Sequence, residues 1–112
     1  MRSVPSCSHQ SEMVRRWVRA GKQVGLSFSF EHEGATWWGT VAVQIWGAKV
    51  KVYVDEIRES DMVSEAYARQ ELSVFDGLAD AEAFVHANTR LEFDMLRPCK
   101  GHRLFNPAWD AV

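Results

Sequence analysis

Between Gln23 and Asp55 the chain alternates apolar and polar residues with a period of two, in three consecutive runs joined by two turn signals. Val24, Leu26, Phe28 and Phe30 alternate with Gln23, Gly25, Ser27 and Ser29. Glu33-Gly34 reads as a two-residue turn, because glycine takes the positive φ that tight hairpins need. That turn sets Phe30 against Trp37, Leu26 against Val41 and Val24 against Val43. A second turn at Gly47-Ala48 sets Ile45 against Val50, Val43 against Val52 and Val41 against Val54. All of these residues fall on one face. Two independent turns thus specify a single register, and a slip of one residue at either would turn the apolar set to the other side.

The flanking segments read less regularly. Residues 1–10 are polar and contain Pro5, the pattern of a flexible leader. Ser11 is placed to cap a helix running to about Ala20, with Met13, Val14, Trp17 and Val18 on one stripe and Gly21 as its stop. Residues 58–66 read as a loop with one helical turn near Met62. A fourth strand from about Tyr67 to Phe75 is expected to add Leu72 and Val74 to the core face. Asp76 is placed to cap a helix from Leu78 to Asn88, whose Leu78, Ala81, Phe84 and Val85 form the apolar stripe. Pro98, Gly101 and Pro107 break up the segment from Leu91 to Val112. The expectation is an α+β fold: a three- to four-stranded antiparallel meander with a helix packed on one face and a short N-terminal helix. Residues 11–112 then form a single domain, the natural count for 112 residues.

Composition excludes several classes of function. A hydrophobic content of 46% with 25% charged residues is globular rather than disordered. Two cysteines cannot build a disulfide framework. No apolar run approaches the roughly 20 residues of a membrane span. Met1 to Gln10 lacks the apolar centre of a signal peptide. The expected location is the cytoplasm, with no membrane association. Charge is distributed unevenly: residues 1–49 carry six Lys/Arg against three acids, residues 50–95 four against eleven, and residues 96–112 three against one. A uniformly basic nucleic-acid binder is therefore disfavoured.

The second face of the meander holds the main candidates. The same register places Trp38, Thr40, Ala42, Gln44 and Trp46 there, with Lys49, Lys51, Tyr53 and Asp55 on the adjoining strand. Trp38, Gln44, Trp46, Lys49, Lys51 and Tyr53 together suit stacking, peptide capture or a second copy of the chain. The competing expectation is that Trp17 of the first helix, or Trp109 of the tail, covers these rings within the monomer. A further alternative is a small-ligand pocket or small enzyme, its cavity between sheet and helix lined by Phe28, Trp37 and Phe84. Single-stranded nucleic acid is a third, since aromatics interleaved with lysines on a sheet can stack on bases. That module's Gly-aromatic strand pattern is absent. Cys7, His9, Cys99 and His102 do not have standard zinc spacing, and no cofactor is expected. His32 lies between Glu31 and Glu33 at a hairpin tip, and His86 on the polar side of the second helix. No catalytic residue is assigned, because no nucleophile turn or glycine-rich phosphate loop occurs.

The stretch from Leu96 to Pro107 mixes basic groups with two prolines and follows Phe75-Asp76-Gly77-Leu78, Ala81 and Phe84-Val85. Over these last forty or so residues the chain resembles small bacterial α+β proteins of the mobile gene cassette (integron cassette) kind. The resemblance implies a bacterial accessory protein and carries over no functional residue. The function expected from the residues is a non-enzymatic protein- or peptide-binding, regulatory module that forms a homo-oligomer through its sheet.

Overall fold

A computed structural model describes residues 5–109. The chain forms helix α1 (Pro5–Arg19), strands β1 (Val24–His32), β2 (Ala35–Trp46), β3 (Lys49–Arg58) and β4 (Arg69–Phe75), helix α2 (Leu78–Asn88) and a short strand β5 (Arg97–Pro98). Single 3₁₀ turns lie at Glu59–Asp61 and Phe93–Met95. Among the described residues the fold is α+β, with an antiparallel sheet of five strands in the order β4-β3-β2-β1-β5.

The meander has the register that its turns dictate. Phe30 pairs with Trp37, Leu26 with Val41 and Val24 with Val43; Ile45 pairs with Val50, Val43 with Val52 and Val41 with Val54. Glu33 and Gly34 both take positive φ, 50° and 76°, the requirement of a type I′ turn whose twist matches the flanking strands. Gly47, at φ 65°, starts the second turn. Trp37 and Trp38 lie on opposite faces: Trp37 stacks on Phe30 at 6.1 Å, while the Trp38 indole N–H donates to Glu59 Oε1 at 2.9 Å. Trp37 is half-buried, with its indole nitrogen enclosed and without a hydrogen-bond partner among the described residues.

Both helices cover the same sheet face. Val14 and Val18 of α1, and Ala81 and Val85 of α2, meet Val24, Val41, Val43, Val50, Val52 and Val54 in one core. Leu91, Phe93 and Leu96 close its lower side. A two-pronged ion pair links the helices, Arg15 Nε to Glu82 Oε2 at 2.7 Å and Nη2 to Oε1 at 2.9 Å. Such a fork fixes orientation as well as distance.

Several expectations are corrected. The first helix starts at Pro5 rather than Ser11, so residues 5–10 are helical and not a flexible leader; residues 1–4 of that leader lie outside the described residues. Proline suits a first helical position, where its missing N–H is not needed. The N-cap of α2 is Gly77, and Asp76 instead pairs with Lys49, its neighbour at the end of the adjacent strand. Leu72 and Val74 point away from the core. Strand β4 pairs Val50 with Phe75 and Tyr53 with Leu72, so Phe75 joins the core face and Leu72 and Val74 the other. No tight turn joins β3 to β4, so nothing local pins that register. Phe75 then decides it by packing on Phe84 of α2 at 5.3 Å.

Phe84→Ala is expected to cost about 2–3 kcal/mol, below the 3–5 of a fully enclosed phenylalanine because Phe84 is only partly buried. Chemical denaturation checks this, and a cost under about 1 kcal/mol would mean that α2 is held mainly by Ala81 and Val85.

Candidate functional site

The second sheet face is built from the polar half of the alternation, with the large rings confined mainly to its rim. Gly25 and Ala42 leave its middle low, and the tail fills that hollow. A side chain on Gly25 would meet Leu104 Cδ1 at 2.6 Å and Val41 O at 2.7 Å. The Phe105 ring stacks on Tyr53 with centroids 5.5 Å apart and planes at 8°. Trp109 follows at 6.4 Å from Tyr53, and its carbonyl accepts from Lys51 Nζ at 2.6 Å. Ala42, Tyr53 and Phe105, with Leu72 and Leu104, make a second small core.

Gln23 ties the tail down. Its carbonyl oxygen accepts from the backbone N–H of Leu104 at 2.6 Å and of Phe105 at 3.4 Å. Its amide nitrogen donates to Phe105 O at 3.0 Å and to Gln44 Oε1 at 2.8 Å. One buried side chain thereby pairs polar groups that the tail would otherwise leave unsatisfied. In the sequence Gln23 is one more polar residue of the alternation, and nothing marks it as a clamp.

Beside this core runs a chain of polar groups. Gln70 Nε2 donates to the Tyr53 hydroxyl at 3.1 Å, and that hydroxyl donates to Asp55 Oδ2 at 2.8 Å. Thr40, opposite Asp55, also bonds its carboxylate, and the Thr40 and Ser27 hydroxyls lie 3.2 Å apart. Burial pushes the Asp55 carboxyl above its ordinary 3.8, against the Tyr53 and Thr40 hydrogen bonds. Burial likewise raises the Tyr53 phenol, so it stays protonated and donates. Asp55 is only 8% exposed, and its hydrogen bonds go to Tyr53 and Thr40 beside it.

The six predicted face residues therefore part company. Tyr53 and Lys51 are buried under the tail at 4% and 7% exposure, and Gln44 is half-buried against Gln23. Trp38, Trp46 and Lys49 stay exposed, Trp38 at one end of β2 and the other two at the opposite end. Trp46, Val74 and Trp109 are each exposed by 44–46%. The tail supplies the cover within the monomer, whereas Trp17 packs against the main core on the opposite face. The three residues expected to line a sheet–helix pocket are separated. Phe84 stacks on Phe75 of the outer strand β4, while Phe28 and Trp37 flank Phe30 at the β1–β2 hairpin. The intervening strands put Phe28 about 14 Å across the sheet from β4.

Among the described residues no group of three or more His, Cys, Asp and Glu is positioned to hold a metal. The Cys7 side chain lies outside those described, and the Cys99 thiol rests 3.6 Å from Gln23 Oε1. No helix of the described residues is long and apolar enough to cross a membrane. Comparison with protein-family models, curated proteins and solved structures finds no match to this chain.

Gly25→Ala is expected to destabilise the protein by about 1–3 kcal/mol, since its methyl group collides with the Val41 carbonyl as well as with Leu104. Hydrogen exchange should show the Leu104 and Phe105 amides losing protection more than those of β2; equal loss would mean that the tail does not depend on this hollow. A second expectation concerns pH. A carboxyl raised in the folded state stabilises the fold while protonated; that contribution is complete below pH 3.8 and is lost as the pH rises through the folded value. Asp55→Asn, which mimics the protonated form, should raise the denaturation midpoint at neutral pH, with the difference from wild type closing toward acid. A gap that widens on acidification would reverse the assignment.

Proposed function

We propose that this protein is a non-enzymatic binding module that self-associates through edge strand β4 and the adjoining Trp46 end of the second sheet face. The observation that carries this reading is the shared exposure of Trp46, Val74 and Trp109 in one corner of the sheet. Trp46 lies opposite Lys49, and the next row runs Gln44, Lys51, Val74. Lys51, which would otherwise place a charge among them, is turned onto the Trp109 carbonyl. Apolar side chains of this size gathered on one corner support that reading, because such clusters are uncommon on isolated monomers.

A second copy fits this corner better than an unrelated partner. Strand β4 is the outer strand on its side of the sheet, contains no proline, and presents its outward backbone groups to any strand laid beside it. A two-fold axis at Leu72 would set Gln70 against Val74, Glu71 against Ser73 and Arg69 against Phe75. No like charges meet, as a stable strand pair requires. Lys49 and Asp76, already paired at the rim, bring both signs to the boundary. The resemblance of the last forty or so residues adds a separate part to the proposal, that the chain is a bacterial accessory protein of the gene-cassette kind working in the cytoplasm.

Sedimentation velocity over a range of concentrations tests the proposal. Wild type is expected to run as a dimer, and Val74→Glu and Trp46→Glu as folded monomers with unchanged circular dichroism. A wild-type protein that stays monomeric at high concentration would sink the reading.

A further inference from the structure

At the other edge of the sheet, where α1 ends beside β5, lies a cavity of about 650 Å³. We infer that it is a binding site for a small phosphorylated aromatic compound of mononucleotide size. Its walls come from two segments that the backbone holds in fixed relation. Helix α1 stops at Gly21, φ 89°, whose N–H bonds Val18 O at 2.9 Å while the N–H of Lys22 bonds Trp17 O at 3.0 Å. This double bond pattern closes the last turn around a left-handed glycine and brings Lys22 back beside Trp17. Across from it, β5 pairs Val24 with Pro98, and the Cys99 N–H bonds Gln23 O at 2.9 Å. Arg97 and Lys100 are thereby carried to the same opening.

The lining has an unbalanced charge. Lys22, Arg97 and Lys100 all contribute to it, and among the described residues no acidic one lines it. Among the described residues neither Lys22 nor Lys100 forms an ion pair. Arg97 is oriented by bonds from Nη1 to the carbonyls of Asp94 and Leu96 at 2.7 and 2.8 Å. Burial holds the Cys99 thiol above its ordinary range, so it adds no negative charge. Three cationic residues around one opening favour a group of more than one negative charge, and a phosphate monoester carries about −1.5 to −2 at neutral pH.

The aromatic part follows from Trp17. Its indole packs against the main core, so it is a fixed platform, and it lines the cavity together with Pro98. A planar ring stacks on such a surface with little selectivity for its substituents. The volume lies within the range of about 300–1,000 Å³ usual for small-molecule sites. This site and the β4 surface lie at opposite edges of the sheet, so each stands or falls alone.

Titration of the ¹⁵N-labelled protein with adenosine monophosphate, adenosine and inorganic phosphate tests the assignment by nuclear magnetic resonance. Adenosine monophosphate is expected to give saturable shifts at the Trp17 indole N–H and the Cys99 and Lys100 amides, with weaker binding of adenosine or phosphate alone. Lys22→Glu with Lys100→Glu changes two exposed side chains, should leave the spectrum folded, and should weaken binding by at least about tenfold. No saturable shift at Trp17, or shifts indifferent to the charge reversal, would overturn the site. Phosphate binding as tightly as adenosine monophosphate would overturn its aromatic specificity.

Discussion

Everything in this protein depends on the register between β1, β2 and β3. Two tight turns set it, and the valines of three strands then share one face. A slip of one residue in either hairpin would set one strand's apolar side chains on the opposite face from its partner's and break the common valine surface. Both helices are short and gain their place by covering that valine surface. The Arg15–Glu82 pair adds orientation to a contact that apolar burial drives.

A sheet with both helices on one side must still manage its other side, and here the tail does so. Glycine and alanine at positions 25 and 42 create the hollow, Leu104 and Phe105 fill it, and Gln23 pairs their backbone groups. An irregular segment can lie against a sheet only where its polar backbone finds partners. Gln23 is therefore as necessary to this second core as the rings are. The same arrangement removes Tyr53 and Lys51 from the surface and leaves Trp46 and Trp109 at its margin.

The two surfaces left over differ in chemistry. The β4 corner is apolar with a rim of mixed charge, the basis of the self-association proposed above. The cavity beside β5 is cationic with one fixed indole, which suits a small anion. Charge asymmetry along the chain foreshadows this division, since the basic ends of the sequence supply Lys22, Arg97 and Lys100. Only the fold brings those residues within reach of one another.

The sequence by itself determined the meander, its turns and its register, because period-two alternation and glycine at positive φ are local properties. It determined α2 and its apolar stripe for the same reason. Tertiary structure decided the side on which Leu72 and Val74 lie, because a long connection leaves the β3–β4 pairing to the packing of Phe75 on Phe84. It decided that Asp76 pairs with Lys49 instead of capping α2. It decided the fate of the aromatic face as well. Alternation states which residues share that face, but whether a segment some fifty residues later settles on it depends on shape and backbone pairing. Neither leaves a periodic trace in the chain.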